Sequence, residues 1–222
     1  MLVKDIMTTN VVTIPSNTPV MEARKLMEVH RIERLPVVDK GKLVGIITKD
    51  LVQRAGPSEA TSLSVWEINY LMAKMTVKEI MKKEVVTVPP DVTVECAVAT
   101  AQECGVGSLP VLEGNSLVGI VTTNDFFYQI LNPLLGIKEG GKRITVYGAD
   151  TADQMCKVLD VIKNEGIGIK AMHTMAVPEA VSKDLIVHLD TEDINRIMAQ
   201  LKGLGFHLDE RDHGVCQIGG RE

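Results

Sequence analysis

The sequence repeats itself, and this internal repeat limits the possible folds more than any other feature. The stretch 43–51, LVGIITKDL, returns at 117–126 as LVGIVTTNDF. Each copy reads as a short apolar strand interrupted by a glycine, followed by a threonine and then an aspartate where a helical pattern begins. Repetition at a fixed period is typical of a chain built from copies of one structural unit. We therefore expect two related units.

Three further segments match between the copies. The offset is 74 residues from Val3 and Val77 to Gly45 and Gly119, and it slips by one at Asp50, which corresponds to Asp125. The matching segments are VKDIM at 3–7 with VKEIM at 77–81, VVTIP at 11–15 with VVTVP at 85–89, and LPVVD at 35–39 with LPVLE at 109–113.

The junction between strand and helix places a hydroxyl and a carboxylate together in each copy. Backbone N–H groups at the start of a helix lack partners within it, and the helix dipole adds positive character, so this junction suits a phosphate. A carboxylate beside it could accept hydrogen bonds from the two hydroxyls of a ribose. The alternative is that Asp125 or Asn124 merely caps the helix, a role that both residue types favour.

These motifs resemble the CBS-domain family, and their repetition resembles a tandem CBS pair, or Bateman module. The signature is Ile-Met, Val-x-Thr-(Ile/Val)-Pro, Leu-Pro-Val, and Gly-apolar-apolar-Thr ahead of an aspartate. The resemblance implies an α/β (α+β) fold in which each repeat runs strand, helix, strand, strand, helix, with clefts between the repeats. We predict a pair over 1–135, with repeat 1 at about 1–55, a connecting helix at about 56–76 and repeat 2 at about 77–135.

The resemblance also implies the site residues. In nucleotide-binding members the aspartate holds the ribose hydroxyls, the threonine contacts phosphate or ribose, and the adenine lies in an apolar slot. Carried over to this sequence, Thr122 and Asp125 keep the T-x-x-D spacing and are the strongest candidates. The adenine slot of repeat 2 is expected to be lined by Val85, Val86, Thr87, Val106, Ser108, Leu109 and Pro110.

Repeat 1 departs from this spacing, because Thr48 and Asp50 are one residue closer. One residue turns a helical side chain by about 100°, so we expect Asp50 to miss the ribose. Arg34 and Lys49 add cations that could still hold a phosphate; the alternative is solvated surface charge. The predicted repeat 1 site comprises Thr48, Asp50, Val12, Thr13, Arg34 and Pro36, and we expect it to be weaker than the repeat 2 site.

The boundary region 132–141 has the proline and glycines of a linker, which we place at 136–141, and beyond it the pattern of residues 142–222 changes. Alternating and helical stripes predict β-α-β-β-α-β, the ferredoxin-like order. The segment 164–169, NEGIGI, resembles an ACT domain, and the whole chain resembles AcuB-type proteins linked to acetoin utilisation. ACT domains commonly bind amino acids at the first strand-to-helix turn, through a glycine that follows an acidic residue. In the turn at 148–153, GADTAD, no glycine follows an acidic residue, so we expect no tight amino-acid binding.

Composition excludes several other classes. A net charge of −5, a pI near 5.6 and 3% aromatic residues argue against a general nucleic-acid binder. The N-terminus lacks the apolar core of a signal peptide and no apolar run reaches membrane-spanning length, so we expect a cytoplasmic protein. The sequence contains no hydrolase, zinc-protease or P-loop motif, and its histidines show no metal-ligand spacing. The four cysteines are expected to be reduced packing residues.

We therefore predict a regulatory protein and not an enzyme. Its regulatory ligand is expected to be an adenine nucleotide or adenosyl compound, namely AMP, ADP, ATP or S-adenosylmethionine, and no cofactor or metal is required. A homodimer is expected, as is a regulated partner protein that the sequence does not identify. The amphipathic pattern from Ser62 to Met75 indicates either a cover for the pair's edge or a dimer contact. The alternatives are a structural dimerisation module without a ligand and, more distantly, an enzyme.

Overall fold

The computed structural model describes residues 1–56, 64–137, 139–176 and 182–211. The chain folds as two compact units, Met1–Phe126 and Phe127–Glu222. Both units combine helices with small antiparallel sheets, which confirms the mixed α/β class predicted from the sequence.

Repeat 1 follows the predicted order except at its first strand, where Ile14 forms only an isolated bridge to Val37. Pro19 precedes the first helix, which buries Val20, Ala23 and Met27 on one face as its spacing predicts. The two strands form an antiparallel hairpin whose turn, Lys40-Gly41, has φ values of 50° and 78°. Two successive positive φ angles are typical of a two-residue hairpin turn. The elements are α1 (Val20–His30), β1 (Arg34–Asp39), β2 (Lys42–Thr48) and α2 (Lys49–Arg54).

A connecting helix and a second copy of the same arrangement complete this unit. The connecting helix lies within the predicted Ser62–Met75 span, and it leaves Trp66 85% and Tyr70 59% exposed. The side chains of Val65, Ile68 and Met72, on which its predicted apolar face depends, lie outside the described residues. The elements are α3 (Val65–Lys74), α4 (Val77–Ile80), α5 (Val94–Glu103), β3 (Ser108–Glu113), β4 (Ser116–Thr122) and α6 (Thr123–Phe126).

The first residues of each repeat pack against the other repeat. Thr8 exchanges two backbone hydrogen bonds with Ile120 of β4, at 2.9 and 3.0 Å. Lys82, which occupies the matching position in repeat 2, does the same with Ile46 of β2, at 2.9 Å in both directions. Val77 is fully buried in the core of repeat 1. The two repeats are therefore joined by a reciprocal exchange of their N-terminal segments, 1–8 and 75–82.

The glycine inside each repeated strand makes this exchange possible. A Cβ on Gly45 would lie 2.6 Å from the Met81 sulfur and 3.0 Å from the Lys82 carbonyl oxygen. A Cβ on Gly119 would meet the Met7 side chain and lie 3.2 Å from the Thr8 carbonyl oxygen. A glycine in a strand interior often marks the close approach of another backbone, and that is its role here.

The second unit has the ferredoxin-like βαββαβ order predicted from the sequence. Its sheet order is β6-β7-β5-β8 with all pairs antiparallel, and one face carries the buried core of the unit. Thr151 and Gln154 form a capping box at the start of the helix that follows the first strand of this sheet. The elements are α7 (Asn132–Leu135, after a π-helical segment Phe127–Leu131), β5 (Lys142–Val146), α8 (Ala152–Asn164), β6 (Ile169–Ala176), β7 (Lys183–Leu189), α9 (Asn195–Gly203) and β8 (Leu208–Arg211).

The opposite face of this sheet carries basic groups and is partly covered by the preceding segment. Arg143 lies opposite His188 across β5 and β7, and its guanidinium donates to the Leu135 carbonyl. The Nε2 atom of His188 lies 3.1 Å from the Gly140 carbonyl oxygen. Burial lowers the pKa of both His188 and His173, and the nearby Arg143 charge lowers them further.

The expected packing role of the cysteines is wrong for three of them, and the predictions beyond Arg211 lie outside the described residues. Cys96, Cys104 and Cys156 are free but exposed, so they are not packing residues. Cys216 and His213 lie outside the described residues, as does the predicted final strand beyond Arg211. Over the part of the chain that the structure describes, no helix is long and apolar enough to cross a bilayer.

Candidate functional site

A cleft of about 600 Å³ places the strongest sequence candidates opposite the other repeat. Thr122 and Asp125, at the end of β4 and in α6, form one wall. Val12, Arg34 and Pro36 of repeat 1 lie on the other. This first cleft is lined by Thr8, Asn10, Val11, Val12, Arg31, Ile32, Glu33, Arg34, Pro36, Ile120, Thr122, Thr123, Asn124 and Asp125.

Asp125 is held in place by the threonine that precedes it. Its Oδ2 atom accepts hydrogen bonds from the backbone N–H and from the hydroxyl of Thr122, both at 2.7 Å. This is the contact that an acidic residue in the first turn of a helix makes with the residue before the helix in a capping box. Among the described residues, none donates a hydrogen bond to Oδ1. A capping role therefore leaves one carboxylate oxygen of Asp125 available to a ligand in the first cleft.

The second cleft, of about 570 Å³, has the opposite arrangement: Thr48 and Asp50 of repeat 1 line it together with apolar residues of repeat 2. The Thr48 hydroxyl caps α2 by accepting from the Leu51 N–H at 3.2 Å. Asp50 is 62% exposed and pairs with Arg54 at 3.0 Å, one helical turn further along. The wall residues are Arg34, Ile46, Thr48, Asp50, Leu51, Ile80, Met81, Lys82, Glu84, Val85, Val86, Gly105, Val106, Gly107 and Ser108.

The predicted sites each took their residues from one repeat, whereas each cleft of the structure combines residues of both repeats. Val85, Val86, Val106 and Ser108 lie in the second cleft with Thr48 and Asp50, and not in the first cleft with Thr122 and Asp125. Val12 and Pro36 were predicted to accompany Thr48 and instead face Thr122. For Val12 the cause is the exchange of N-terminal segments, because Thr8 pairs with Ile120 of β4 and the segment that follows Thr8 therefore reaches the cleft of Thr122.

Four predicted wall residues are absent from both described cleft walls. Leu109 is fully buried, since its side chain faces the core of repeat 2. Pro110 is buried, and its carbonyl accepts from the Val88 N–H at 3.2 Å. Thr13 is exposed and Thr87 half-buried, and both are followed by a residue that enters a core, Ile14 or Val88.

Several residues that line the clefts were not predicted as site residues, although some of them are the repeat counterparts of residues that were. Val11 lines the first cleft and its counterpart Val85 the second; Ile32 and Val106 form another such pair. Ile120 and Ile46 are also equivalent, and both lie in the strands that receive an exchanged segment. Carrying the candidates Val85 and Val106 back across the 74-residue offset would have found Val11 and Ile32, whereas Ile46 and Ile120 were candidates in neither copy.

The clefts combine apolar walls with a mixture of charges. In the first cleft, Arg31 and Arg34 accompany the carboxylates of Glu33 and Asp125. In the second, Lys82 and Arg34 accompany Asp50 and Glu84. Apolar surface with a few placed polar groups is typical of a small-molecule site. Within the described ranges, no group of three histidine, cysteine or acidic side chains is placed to hold a metal ion.

Comparison with known proteins agrees with this architecture. The family model described as CBS domain matches residues 3–55 and 77–132, one match for each repeat. The CBS domain-containing protein YhcV of Bacillus subtilis is 32% identical over 124 residues, which is 55% of this chain and 81% of that protein. The chain belongs to the CBS-domain family.

Longer relatives contain the CBS-domain pair as one part. The inosine-5'-monophosphate dehydrogenase of Korarchaeum cryptofilum is 33% identical over 159 residues, which is 69% of this chain but 30% of that enzyme. The chain thus spans less than a third of the length of this curated relative.

Two solved structures are also similar to this chain. A putative acetoin utilization protein (AcuB) from Vibrio cholerae is 28% identical, with a TM-score of 0.52, over 63% of this chain and 98% of that one. The CBS domain pair of protein MJ0100, crystallised with 5'-methylthioadenosine and S-adenosyl-L-methionine, is 34% identical with a TM-score of 0.49, over 63% of this chain and 98% of that one.

Proposed function

We propose that the CBS pair is a regulatory sensor of an adenine nucleotide or adenosyl compound, with the first cleft as its main site. The observation that carries this proposal is the placement of Thr122 and Asp125 of repeat 2 opposite an apolar wall and two arginines of repeat 1. A nucleotide needs an acceptor for the ribose diol, a slot for the base and a cation for the phosphate, and the first cleft offers each of them.

The ribose would be held by Asp125. Its Oδ2 atom is occupied by Thr122, and Oδ1 faces no donor among the described residues, so two ribose hydroxyls could donate to this carboxylate. The capping contact supports this role, because a side chain that is already ordered loses less conformational entropy when it binds.

The base and the phosphate would lie against repeat 1. Val11, Val12 and Ile32 are half-buried and provide a slot with apolar walls. Arg31 and Arg34 provide guanidinium groups, which recognise phosphate oxygens with two parallel hydrogen bonds. Glu33 in the same cleft opposes a large negative charge, which favours a ligand with few phosphate groups.

Signalling would follow from the position of the clefts between the repeats. A ligand that touches Asp125 and Val12 contacts both repeats and favours whichever of their arrangements lets it make both contacts. The regulated protein would respond to that shift in population. We assign no catalytic step to the clefts.

For the second unit we propose an ACT-like role in assembly, supported by its βαββαβ order. Its first strand-to-helix turn has no glycine after an acidic residue, so titration with the common amino acids should give no saturable heat. The similarity to a putative acetoin utilization protein makes acetoin utilisation the physiological setting to test first.

Calorimetry with AMP, ADP, ATP, S-adenosylmethionine and GMP tests the proposed function. At least one adenosine compound should bind with a saturable signal, and GMP should bind more weakly. The control variant is Glu103→Ala, which removes an exposed carboxylate outside both cleft walls and should bind like the wild type.

Failure of every adenosine compound, together with purified protein that releases no nucleotide on denaturation, would leave a ligand-free dimerisation module as the better description. Product formation over many turnovers would instead establish an enzyme.

A further inference from the structure

Arg34 is the one residue that the described walls of both clefts have in common. It is the first residue of β1, and it is half-buried between the repeats. A Cβ on Gly107 would lie 2.5 Å from its Nη2 atom and 3.4 Å from the hydroxyl oxygen of Thr123. Gly107 lines the second cleft and Thr123 lines the first. The guanidinium therefore lies at the boundary between them.

The repeat explains why a single arginine occupies this boundary. At the 74-residue offset, Glu33 and Arg34 correspond to Gly107 and Ser108. Repeat 2 thus places two small residues where repeat 1 has two large ones, and Gly107 leaves the space that the Arg34 side chain fills. If position 108 carried an arginine as position 34 does, two guanidinium groups would meet at this boundary.

The charge of Arg34 is available to a ligand in either cleft. In the part of the chain that the structure describes, its guanidinium forms no ion pair. Each cleft has one further cation of its own, Arg31 in the first and Lys82 in the second, and both of these are exposed. Arg34 is thus the less exposed cation in each cleft, where a charge interaction is less screened by solvent.

We infer that Arg34 couples the two clefts negatively for ligands that carry a 5'-phosphate. A phosphate in one cleft draws the guanidinium to itself, and a phosphate in the other then meets less positive charge and the negative charge of the first ligand. Adenosine, which carries no phosphate, occupies either cleft without this effect. The inference rests on the proposed function and adds a rule for how the two sites are filled.

This rule separates classes of ligand. Two phosphate-bearing nucleotides compete for one cation, whereas one nucleotide and one uncharged adenosine compound fill both clefts together. Because coupling between binding sites is reciprocal, each cleft weakens the other by the same factor.

The test compares stepwise binding in the full chain with binding in two matched single-cleft variants. Val12 and Val86 occupy equivalent positions, 74 residues apart, on the walls of the first and second clefts. Val12→Trp fills the first cleft and Val86→Trp fills the second, and circular dichroism and thermal melts establish that both variants are folded. Calorimetry with AMP and with adenosine then gives the dissociation constant of each cleft when the other holds no phosphate.

In the wild type, the dissociation constant of the second AMP should be at least fivefold higher than that of the same cleft in the variant whose other cleft is filled. A factor of this size is within the usual range of coupling between binding sites. Arg34→Gln should bind AMP more weakly in both clefts and lose most of this difference. Arg31→Gln, the control, should weaken AMP in the first cleft and keep the difference. Adenosine should give the same constants in the wild type and in the single-cleft variants.

Two results would overturn the inference while leaving the proposed function intact. One is that AMP binds both wild-type clefts with the constants of the single-cleft variants. The other is that the coupling persists undiminished in Arg34→Gln. Absence of AMP binding to the wild type would overturn this inference, and failure of ADP, ATP and S-adenosylmethionine as well would overturn the proposed function with it.

Discussion

At the scale of single residues, Asp125 and Asp50 occupy matching places in the two repeats but have different partners. Asp125 is held by Thr122 at the wall of the first cleft, whereas Asp50 is exposed and pairs with Arg54 on its own helix. Removal of a charged hydrogen-bond partner typically costs about 1.5 to 3 kcal/mol. Asp125→Ala should therefore weaken adenine-nucleotide binding about tenfold or more, and Asp50→Ala should weaken it less.

Thermal shift at saturating nucleotide can rank these two variants, because a ligand at about a hundred times its dissociation constant stabilises the native state by about 2.7 kcal/mol. Unliganded melts separate the capping role of Asp125 from its binding role. A wild-type nucleotide shift in Asp125→Ala, with loss of the shift in Asp50→Ala, would make the second cleft the principal site.

Gly119 gives a second test at this scale. A Cβ there would meet the Met7 side chain and approach the Thr8 carbonyl, and added volume in a packed contact typically costs about 1 to 3 kcal/mol. Gly119→Ala should lower the free energy of unfolding by this amount in urea titrations, and adding Met7→Ala should recover part of it. Gly203→Ala, which adds a methyl group to open space, should not be destabilising. Equal stability of Gly119→Ala and the wild type would contradict this account.

The sequence identified individual cleft residues better than it identified their partners. Thr122, Asp125, Val12 and Val86 all lie on cleft walls, but the sequence could not show which of them share a cleft. Apolar periodicity indicates that a residue such as Val77 is buried, not which repeat buries it. Val77 enters the core of repeat 1, so the grouping by repeat was wrong even though the residue types were informative.

At the scale of elements, the sheet of the second unit presents a basic face that should make this unit sensitive to pH. The pKa of His173 is lowered by burial and by Arg143. The pKa of His188 is lowered chiefly by burial, which outweighs the opposing hydrogen bond to the Gly140 carbonyl; Arg143 and Lys170 lower it further, and the charge of Glu139 opposes them. The folded unit therefore binds fewer protons at these rings than the unfolded chain does when the pH falls below about 6.5.

Because the folded pKa values lie below the unfolded ones, the stability of this unit should be complete above about pH 6.5 and should decrease as the pH falls towards the folded values. Urea titrations followed by NMR signals of β5 and β7 can measure this. His173→Gln should make the decrease shallower, and His30→Gln, an exposed site in the other unit, should leave it unchanged. Greater stability of the second unit at pH 5.5 than at pH 7.5 would contradict the prediction.

The order of the helix and hairpin in each repeat was the most predictable part of the fold. In repeat 1 a proline precedes the helix and a Lys-Gly turn joins the two strands, and both are local signals in the sequence. The basic sheet face was not predicted. Alternation along β7 showed which side packs the helices, but the burial of His188 depends on contact with Gly140, and no local pattern indicates that contact.

At the scale of the whole molecule, we predict a homodimer. The connecting helix α3 leaves Trp66 and Tyr70 exposed one turn apart, and large aromatic side chains are enriched where protein surfaces meet. Sedimentation equilibrium at micromolar concentration should give twice the chain mass of 24.2 kDa, with and without nucleotide. Trp66→Ser with Tyr70→Ser should shift the equilibrium toward monomer, and Met21→Ser, at an exposed apolar site on α1, is the control. A monomer under all conditions would contradict this prediction.

The exchange of N-terminal segments also bears on the ancestry of the pair. Segment 1–8 belongs to the body of repeat 2 and segment 75–82 to the body of repeat 1, so neither repeat closes on itself. Two identical half-length chains could close by the same exchange, as in a domain-swapped dimer. The present chain then corresponds to such a dimer fused end to end. Fusion frees the two halves to diverge, and an arginine opposite a serine at one shared boundary is a difference that a pair of identical chains could never carry.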